Sequence, residues 1–318
     1  MTEGKANSQI MIAGSANVDF VVRAPNIPAP GETVLGSDLM IVPGGKGANQ
    51  AVACALAGGV LTSMVAAIGN DSLAGIVANS LSSAGVHLHR VESERSTGVA
   101  LITVSEQAEN AITVAPGANA DLSPTDLPDL SDIEWLVVQL ETPIETVTAF
   151  ARAAKIAGVK VLLNAAPARE IPAALLQAAD VVVVNEPELS VVAGIDGSIA
   201  AQLQRVGVSC AVVTLGGRGC CAFVDGRWVL QPAFTVEPVD TTAAGDTFVG
   251  VLAAVLSQNH SIEAALRLAA AAAALTTTRA GAQSSIPKAA EVIAFAADGP
   301  CGERQPLMQY CGLSTINA

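Results

Sequence analysis

The stretch Asp240-Thr241-Thr242-Ala243-Ala244-Gly245-Asp246-Thr247-Phe248 has the residue types for anion chemistry. A strand-like run at 233–239 precedes it, and an apolar segment at 248–256, with one Gly and no Pro, follows. The pattern predicts a strand, a tight turn and the start of a helix. Ala243, Ala244 and Gly245 are small, so their backbone N–H groups can approach a ligand closely. The first N–H groups of a helix have no intrahelical partner, and the helix dipole adds partial positive charge there. Such a turn can cradle a phosphate. A carboxylate at Asp246 would repel that anion unless it has a task, and accepting a proton is one. The alternative is that Asp246 caps the helix. The stretch alone leaves both open.

Other polar residues fall where apolar runs stop. The run 9–14 ends in Gly14-Ser15-Ala16-Asn17-Val18-Asp19. Asn17 and Asp19, two apart, face the same side of an extended chain. Together they could bind vicinal hydroxyls, or they could make Asx turns. Glu141 follows the run 135–140, Asn164 the run 159–163, and Asn185 and Glu188 the run 181–184. Thr214 precedes Leu215-Gly216-Gly217-Arg218-Gly219. Each could be a cap or turn residue. Together, at successive strand ends, they form the edge that a doubly wound active site uses. In Pro43-Gly44-Gly45-Lys46-Gly47-Ala48-Asn49-Gln50, the glycine pair permits a sharp turn and close ligand approach. Lys46 and Asn49, three apart, share a face of the first helical turn that follows. This is no Walker A loop: Gly47 follows the lysine, and Met40 stands where the first glycine belongs.

The elements that position these residues follow from periodicity. Strands are predicted at 9–14, 20–22, 33–42, 60–68, 86–91, 99–104 and 110–115, with a hairpin turn at 105–109. Further strands are predicted at 135–140, 159–163, 181–184 and 210–214. Helices are predicted at 73–83, 144–157, 173–178, 198–206 and 262–278. From 124 onward strands and helices alternate, which implies a parallel sheet with right-handed crossovers. The strands at 86–115 alternate apolar and polar more, as in an antiparallel sheet with one open face. No Gly-, Ser- or Pro-rich linker divides the chain. We therefore expect one main domain with an inserted lid, and a frayed tail over 299–318.

Composition narrows the function classes. Apolar residues make up 51% and charged residues only 14%, enough for a large buried core. The net charge of −13 argues against nucleic acid or an anionic membrane as partner. Phosphates would have to be bound by backbone donors and a few cations. No run reaches 18 apolar residues, and residues 1–7 carry no apolar signal core, so a cytoplasmic protein is expected. The six cysteines form no Cys-x-x-Cys pair and only three His accompany them, which argues against zinc. Most are expected to be small buried hydrophobes, with Cys301 and Cys311 as candidate exposed thiols.

Four motifs in order carry a resemblance. Residues 14–19, 44–50, 240–248 and 281–287 are similar to the signatures of the ribokinase-like carbohydrate kinases. Ser96-Thr97-Gly98-Val99-Ala100 and Ala115-Pro116-Gly117-Ala118-Asn119 add to the match, which runs from about 9 to 297. The resemblance implies a three-layer α/β/α fold with a mainly parallel central sheet and a small β-sheet lid. The kinase domain spans 1–298, and the lid strands lie within about 18–42 and 97–115. It implies ATP-dependent phosphorylation of the 5-hydroxyl of D-ribose, with Mg²⁺ and a monovalent cation, K⁺ in the family, and a homodimer formed through the lid. Asp246 is then the general base, and Ala243, Ala244 and Gly245 form the anion hole. Asn17, Asp19, Gly44, Gly45, Lys46, Asn49 and Glu141 hold the sugar. Asn185 and Glu188 act through Mg²⁺ and phosphates, and Thr214, Gly216 and Gly219 bind the nucleotide with Ala244 and Gly245. Asp240, the Thr242 backbone, Thr276, Arg279, Gly281 and Ser285 form the monovalent-cation site.

The chain departs from the family at Ala269, where relatives often place a His or Asn near adenine, and in its tail, which has no counterpart. Readings left open are 2-deoxyribose, fructose or a nucleoside as substrate, and a sugar-binding regulator without catalysis.

Overall fold

The computed structural model describes residues 9–107 and 109–314. Residues 1–8 (where no signal core is expected), Ala108 of the expected hairpin turn, and 315–318 of the tail lie outside the described residues. The chain begins β1 (Gln9–Ala13), β2 (Asn17–Ala24), β3 (Met40–Gly44), α1 (Lys46–Leu56), β4 (Leu61–Gly69) and α2 (Ala74–Ser83). Next come β5 (His87–Ser93), β6 (Gly98–Ser105), β7 (Asn110–Ala115), β8 (Trp135–Val138) and α3 (Ile144–Ile156). The alternating part continues with β9 (Lys160–Asn164), α4 (Ala173–Ala178), β10 (Val181–Asn185), α5 (Glu186–Ala193), α6 (Ile199–Val206) and β11 (Cys210–Thr214). It closes with β12 (Gly219–Val224), β13 (Arg227–Pro232), α7 (Ala244–Ser257), α8 (Ile262–Thr277), α9 (Ala289–Asp298) and α10 (Arg304–Tyr310).

Among the described residues the main sheet has nine strands in the order β13-β12-β11-β10-β9-β8-β1-β4-β5. Neighbours from β11 to β5 are parallel, and β12 and β13 add an antiparallel edge. Its core strands are apolar on both faces, as parallel strands covered by helices must be. Ile10 and Ile12 join a core with Val52, Leu81, Val251, Leu266 and Val292, from α1, α2, α7, α8 and α9. Met11 and Ala13 face the opposite core, with Phe150, Leu175, Leu189, Leu203 and Leu307, from α3, α4, α5, α6 and α10. The result is the expected α/β/α sandwich. No helix among the described residues is long and apolar enough to cross a membrane.

Several expectations need correction. The lid sheet, β3-β2-β6-β7, is not wholly antiparallel, because β2 and β6 pair in parallel. Both strands continue core strands out of the main sheet (β1 into β2, β5 into β6), so they leave in the same direction. The 86–91 segment accordingly belongs to the main sheet, parallel to β4. The predicted strand at 33–42 pairs only over Met40–Gly44, and 233–239 makes a single bridge, between Phe234 and Cys301. β-Branched composition forms a strand only where a partner edge exists. Helix α5 was not among the predicted helices. Asn185 and Glu188 form a capping box and Pro187 sits in the first turn, where it is tolerated. Over 299–314 the tail packs onto the fold: α10 buries Leu307 and Met308, and Cys311 beyond it is buried as well. Of the two tail thiols, only Cys301 is exposed.

Candidate active site

The chain turns from the right half of the sheet to the left half between β1 and β8, and ligands in open α/β sheets bind at such switch points. There Ser15 Oγ donates to Glu141 Oε2 at 2.5 Å, and the Lys46 backbone N–H donates to the same oxygen at 3.1 Å. The loop after β1 is thus joined to the loop after β8 and to the first turn of α1.

The predicted sugar residues gather around this joint. Asn17 and Asp19 are 2% and 7% exposed on β2. Asn17 Oδ1 accepts from Asn119 Nδ2 at 2.7 Å, which ties β2 to the segment after β7. Asp19 Oδ1 is buried without a hydrogen-bond partner, an arrangement that calls for a donor from elsewhere. Burial, with Glu141 and Asp246 nearby, pushes the Asp19 carboxyl up to about 7. Gly44 is required by the same carboxylate, since a Cβ there would lie 2.1 Å from Asp19 Oδ2. Gly45 adopts φ +89°, a glycine region, and turns the chain into α1.

Asp246 does not cap its helix. The N-cap of α7 is Ala243, at φ 60° and with no side-chain cap bond. Asp246 is 8% exposed. Asn49 Nδ2 donates to its Oδ2 at 2.9 Å, and Gln50 Nε2 to its Oδ1 at 3.1 Å. Gln50 Nε2 also donates to Asn164 Oδ1 at 2.9 Å, while Gln139 Nε2 donates to Gln50 Oε1 at 2.6 Å. Gln283 Nε2 donates to Asn49 Oδ1 at 3.1 Å. Buried amides thus orient the carboxylate from α1, β9 and the stretch before α9. Gln50, Gln139, Gln283 and Asn119 were not singled out from sequence. A usable signal existed: an Asn-Gln pair inside an apolar helix, and a Gln ending an apolar strand, must find polar partners when buried.

Asp246 lines a cavity of about 150 Å³ together with Lys46, Asn185, Glu188, Thr214, Ala243 and Gly245. Lys46, expected with the sugar, therefore also lines the cavity that Asn185, Glu188 and Thr214 line. Asp246 above all, with Glu141 and Glu188, raises its pKa against the opposing effect of burial. Burial raises the Glu188 carboxyl, although the Asn185 backbone bond and Lys46 pull the other way. A Cβ at Gly245 would meet nothing within 4 Å, so the space above the first turn of α7 is open.

A second cavity, about 470 Å³, adjoins the first at Thr214 and Gly245. Gly216 and Gly219 line it from below β11, and Ala270, Ala273, Ala274 and Thr277 from one face of α8. Ala269, expected near a base, is turned into the core and fully buried. The 3.6-residue period places 270, 273, 274 and 277 on the cavity side instead.

Beside the anion turn, Asp240 Oδ1 accepts from Thr242 N (3.0 Å) and Oγ1 (2.7 Å), and Oδ2 accepts from Gly281 N at 3.0 Å. Burial raises its carboxyl, but the Thr242 and Gly281 bonds outweigh this and hold it below the usual range. Thr276 and Ser285 are fully buried close by in sequence, their hydroxyls bonded to Ala272 O and Ala282 O. The Arg279 side chain pairs outward with Glu291, while its N–H bonds the Thr276 carbonyl.

A helix end open to phosphate, a buried carboxylate beside it and two adjoining cavities suit phosphoryl transfer from a nucleotide to an alcohol. Over residues 7–289 the chain matches the pfkB family of carbohydrate kinases, and it belongs to that family. It is 37% identical over 300 residues to the ribokinase of Haemophilus influenzae, covering 90% of this chain and 97% of that one. It is 36% identical over 292 residues to the deoxyribokinase of Salmonella typhimurium, covering 87% and 95%. Its fold is similar to that of Arabidopsis thaliana ribokinase complexed with ribose and ATP, with TM-score 0.83, 31% identity, and coverage of 92% and 99%.

Proposed function

We propose that the chain transfers the terminal phosphoryl group of ATP to the 5-hydroxyl of D-ribose, giving ribose 5-phosphate and ADP. The observation that carries this reading is the position of Asp246. Its carboxylate lines the cavity at the α7 N-terminus, is held by Asn49 from the first turn of α1, and lies close enough to Asp19 to shift its titration. Asp246 takes the hydroxyl proton, and the N–H groups of Ala243, Ala244 and Gly245 hold the charge on the moving phosphoryl group. Asn17, Asp19, Gly44, Gly45, Lys46, Asn49 and Glu141 bind the sugar. Thr214, Gly216 and Gly219 bind the nucleotide. Mg²⁺, when bound with ATP, neutralises phosphate charge, and Asn185 and Glu188 offer the hard oxygen donors that it accepts. Asp240, the Thr242 backbone, Thr276, Arg279, Gly281 and Ser285 hold a monovalent cation, which we assign as K⁺. The ionised Asp240 carboxylate beside the anion turn supports that assignment.

We read 1–298 as one kinase domain with its lid in 18–42 and 97–115, working as a homodimer in the cytoplasm. The exposed apolar side chains of Met40, Ile41, Leu101, Ile112 and Val114 on the lid sheet support the dimer.

The second reading is 2-deoxyribose, favoured by the comparable identity to a deoxyribokinase. The unpartnered Asp19 oxygen speaks for a substrate with an additional hydroxyl donor. A panel of ribose, 2-deoxyribose, fructose and nucleosides with coupled ADP detection decides between them. We expect ribose to give the highest kcat/KM. A higher value for 2-deoxyribose overturns the ribose assignment, and no ADP from any sugar overturns the kinase.

A further inference from the structure

The tail makes contacts that the reaction described above does not use. It follows the family match, which ends at 289. Thr235 N donates to Pro300 O at 2.8 Å and Gly302 N to Ala233 O at 2.9 Å, on either side of the Phe234–Cys301 bridge. Residues 233–236 form one wall of the larger cavity, and Gly302 lines that cavity itself. The tail is then anchored by Leu307, Met308 and Cys311, which are buried in the core on one face of the main sheet. This anchoring presents Tyr310 at the nucleotide edge. Its hydroxyl donates to Glu186 Oε1 at 2.6 Å, and the Arg218 guanidinium lies 4.1 Å from its ring centroid. Arg218 closes the turn Gly216–Arg218, whose two glycines line the cavity. Glu186 stands between Asn185 and Glu188, which line the phosphate-side cavity. One aromatic side chain therefore ties together the two segments between which a nucleotide has to lie.

We propose that residues 299–314 are part of the nucleotide site. The strand-like contact at 300–302 walls the pocket for the nucleoside, and Tyr310 positions Arg218 and Glu186. The inference rests on the ATP reading above. Each Tyr310 contact is exposed and individually small. The consequence is therefore placement of the two segments, felt as nucleotide affinity. The sugar-side residues Ser15, Asn17, Asn49 and Glu141 make none of these contacts.

The test uses the full-length chain. Tyr310→Ala is expected to raise KM for ATP and Kd for ADP by roughly three- to tenfold, the range for losing an exposed cation–π contact and a charged hydrogen bond. kcat, KM for ribose and Tm stay near wild type, since Tyr310 is a surface residue, 41% exposed. Tyr310→Phe keeps the ring over Arg218 and falls between the two. Independently, Cys301 is the one exposed thiol among the described residues. ADP should slow its alkylation by iodoacetamide, and ribose should not. Unchanged ADP affinity in Tyr310→Ala, equal losses in both KM values, or Cys301 labelling indifferent to ADP would each overturn the inference. A wild-type chain that binds neither ADP nor ATP overturns the ATP reading along with it.

Discussion

The proposed sugar side and the proposed nucleotide side of the site are built differently. On the sugar side, polar side chains are buried and already bonded to one another: Asn17 to Asn119, Ser15 to Glu141, Asn49 and Gln50 to Asp246. Its glycines are required by the protein itself, as Gly44 is by the Asp19 carboxylate. On the nucleotide side the larger cavity is lined by Gly, Ala, Thr, Val, Pro and Phe, and Gly245 and Gly216 border open space. One half is a preformed constellation of side chains. The other is a shaped surface whose polar groups are mostly backbone. A sugar is recognised by where its hydroxyls point, which needs fixed partners. A triphosphate can be held by N–H groups and metal charge, which lets a protein of net charge −13 bind it.

The largest test of this contrast falls where the two sides meet. Asp246→Asn should keep the fold and ATP binding but lower kcat by at least ~10²-fold, the scale of a positioned base. Wild-type turnover in that variant would remove the general base.

The glycines come next. Gly44→Ala should lower Tm and raise the sugar KM by about tenfold or more, because its methyl would clash with the buried Asp19 carboxylate and displace it. Gly245→Ala should leave Tm unchanged while lowering turnover by roughly tenfold or more, since its methyl meets only the incoming anion. Matching stability losses in both variants would erase the distinction between the two sides.

A pH series separates the sides more finely. Asp19 is raised from 3.8 to about 7, so the folded protein holds a proton that the unfolded chain releases. That contribution to stability is complete below pH 3.8 and is lost as the pH rises through about 7. A sugar hydroxyl donating to the carboxylate favours its ionised form. The sugar KM should therefore climb as pH falls from about 8 to about 6, by less than about tenfold per unit. The KM for ATP should not share this step, and Asp19→Asn should flatten it. A sugar KM independent of pH would show that Asp19 is ionised throughout. The smallest effect expected is that of the monovalent ion: activity several-fold higher in K⁺ than in Na⁺ or Li⁺, as read in steady-state assays at matched ionic strength. Equal rates would withdraw the assignment of Asp240 and its partners.

Much of the nucleotide side was legible in the sequence because its logic is local. A strand end, small residues and a helix start within nine positions define the anion turn. The alternation of apolar strands and helices after 124 fixed a parallel sheet with polar residues at its strand ends. The amides around Asp246 were less visible. Gln50, Gln139 and Gln283 come from distant parts of the chain, and hydrogen bonds between them depend on how α1, β8 and the stretch before α9 pack together. The parallel lid pair was hidden for a related reason. Its direction comes from β1 and β5 in another sheet, not from the composition of β2 and β6.

The anion turn of 240–248 shows the division most clearly. Its residues alone determined a helix N-terminus that can receive a phosphate, since that property belongs to any helix entered through small residues. Whether Asp246 capped that helix or faced a substrate was decided by tertiary structure. A carboxylate at the third position of a helix can turn back to the backbone or away from it. Here Asn49 and Gln50, brought up by α1 from nearly two hundred residues away, supply better donors than the helix end and turn the carboxylate towards the cavity.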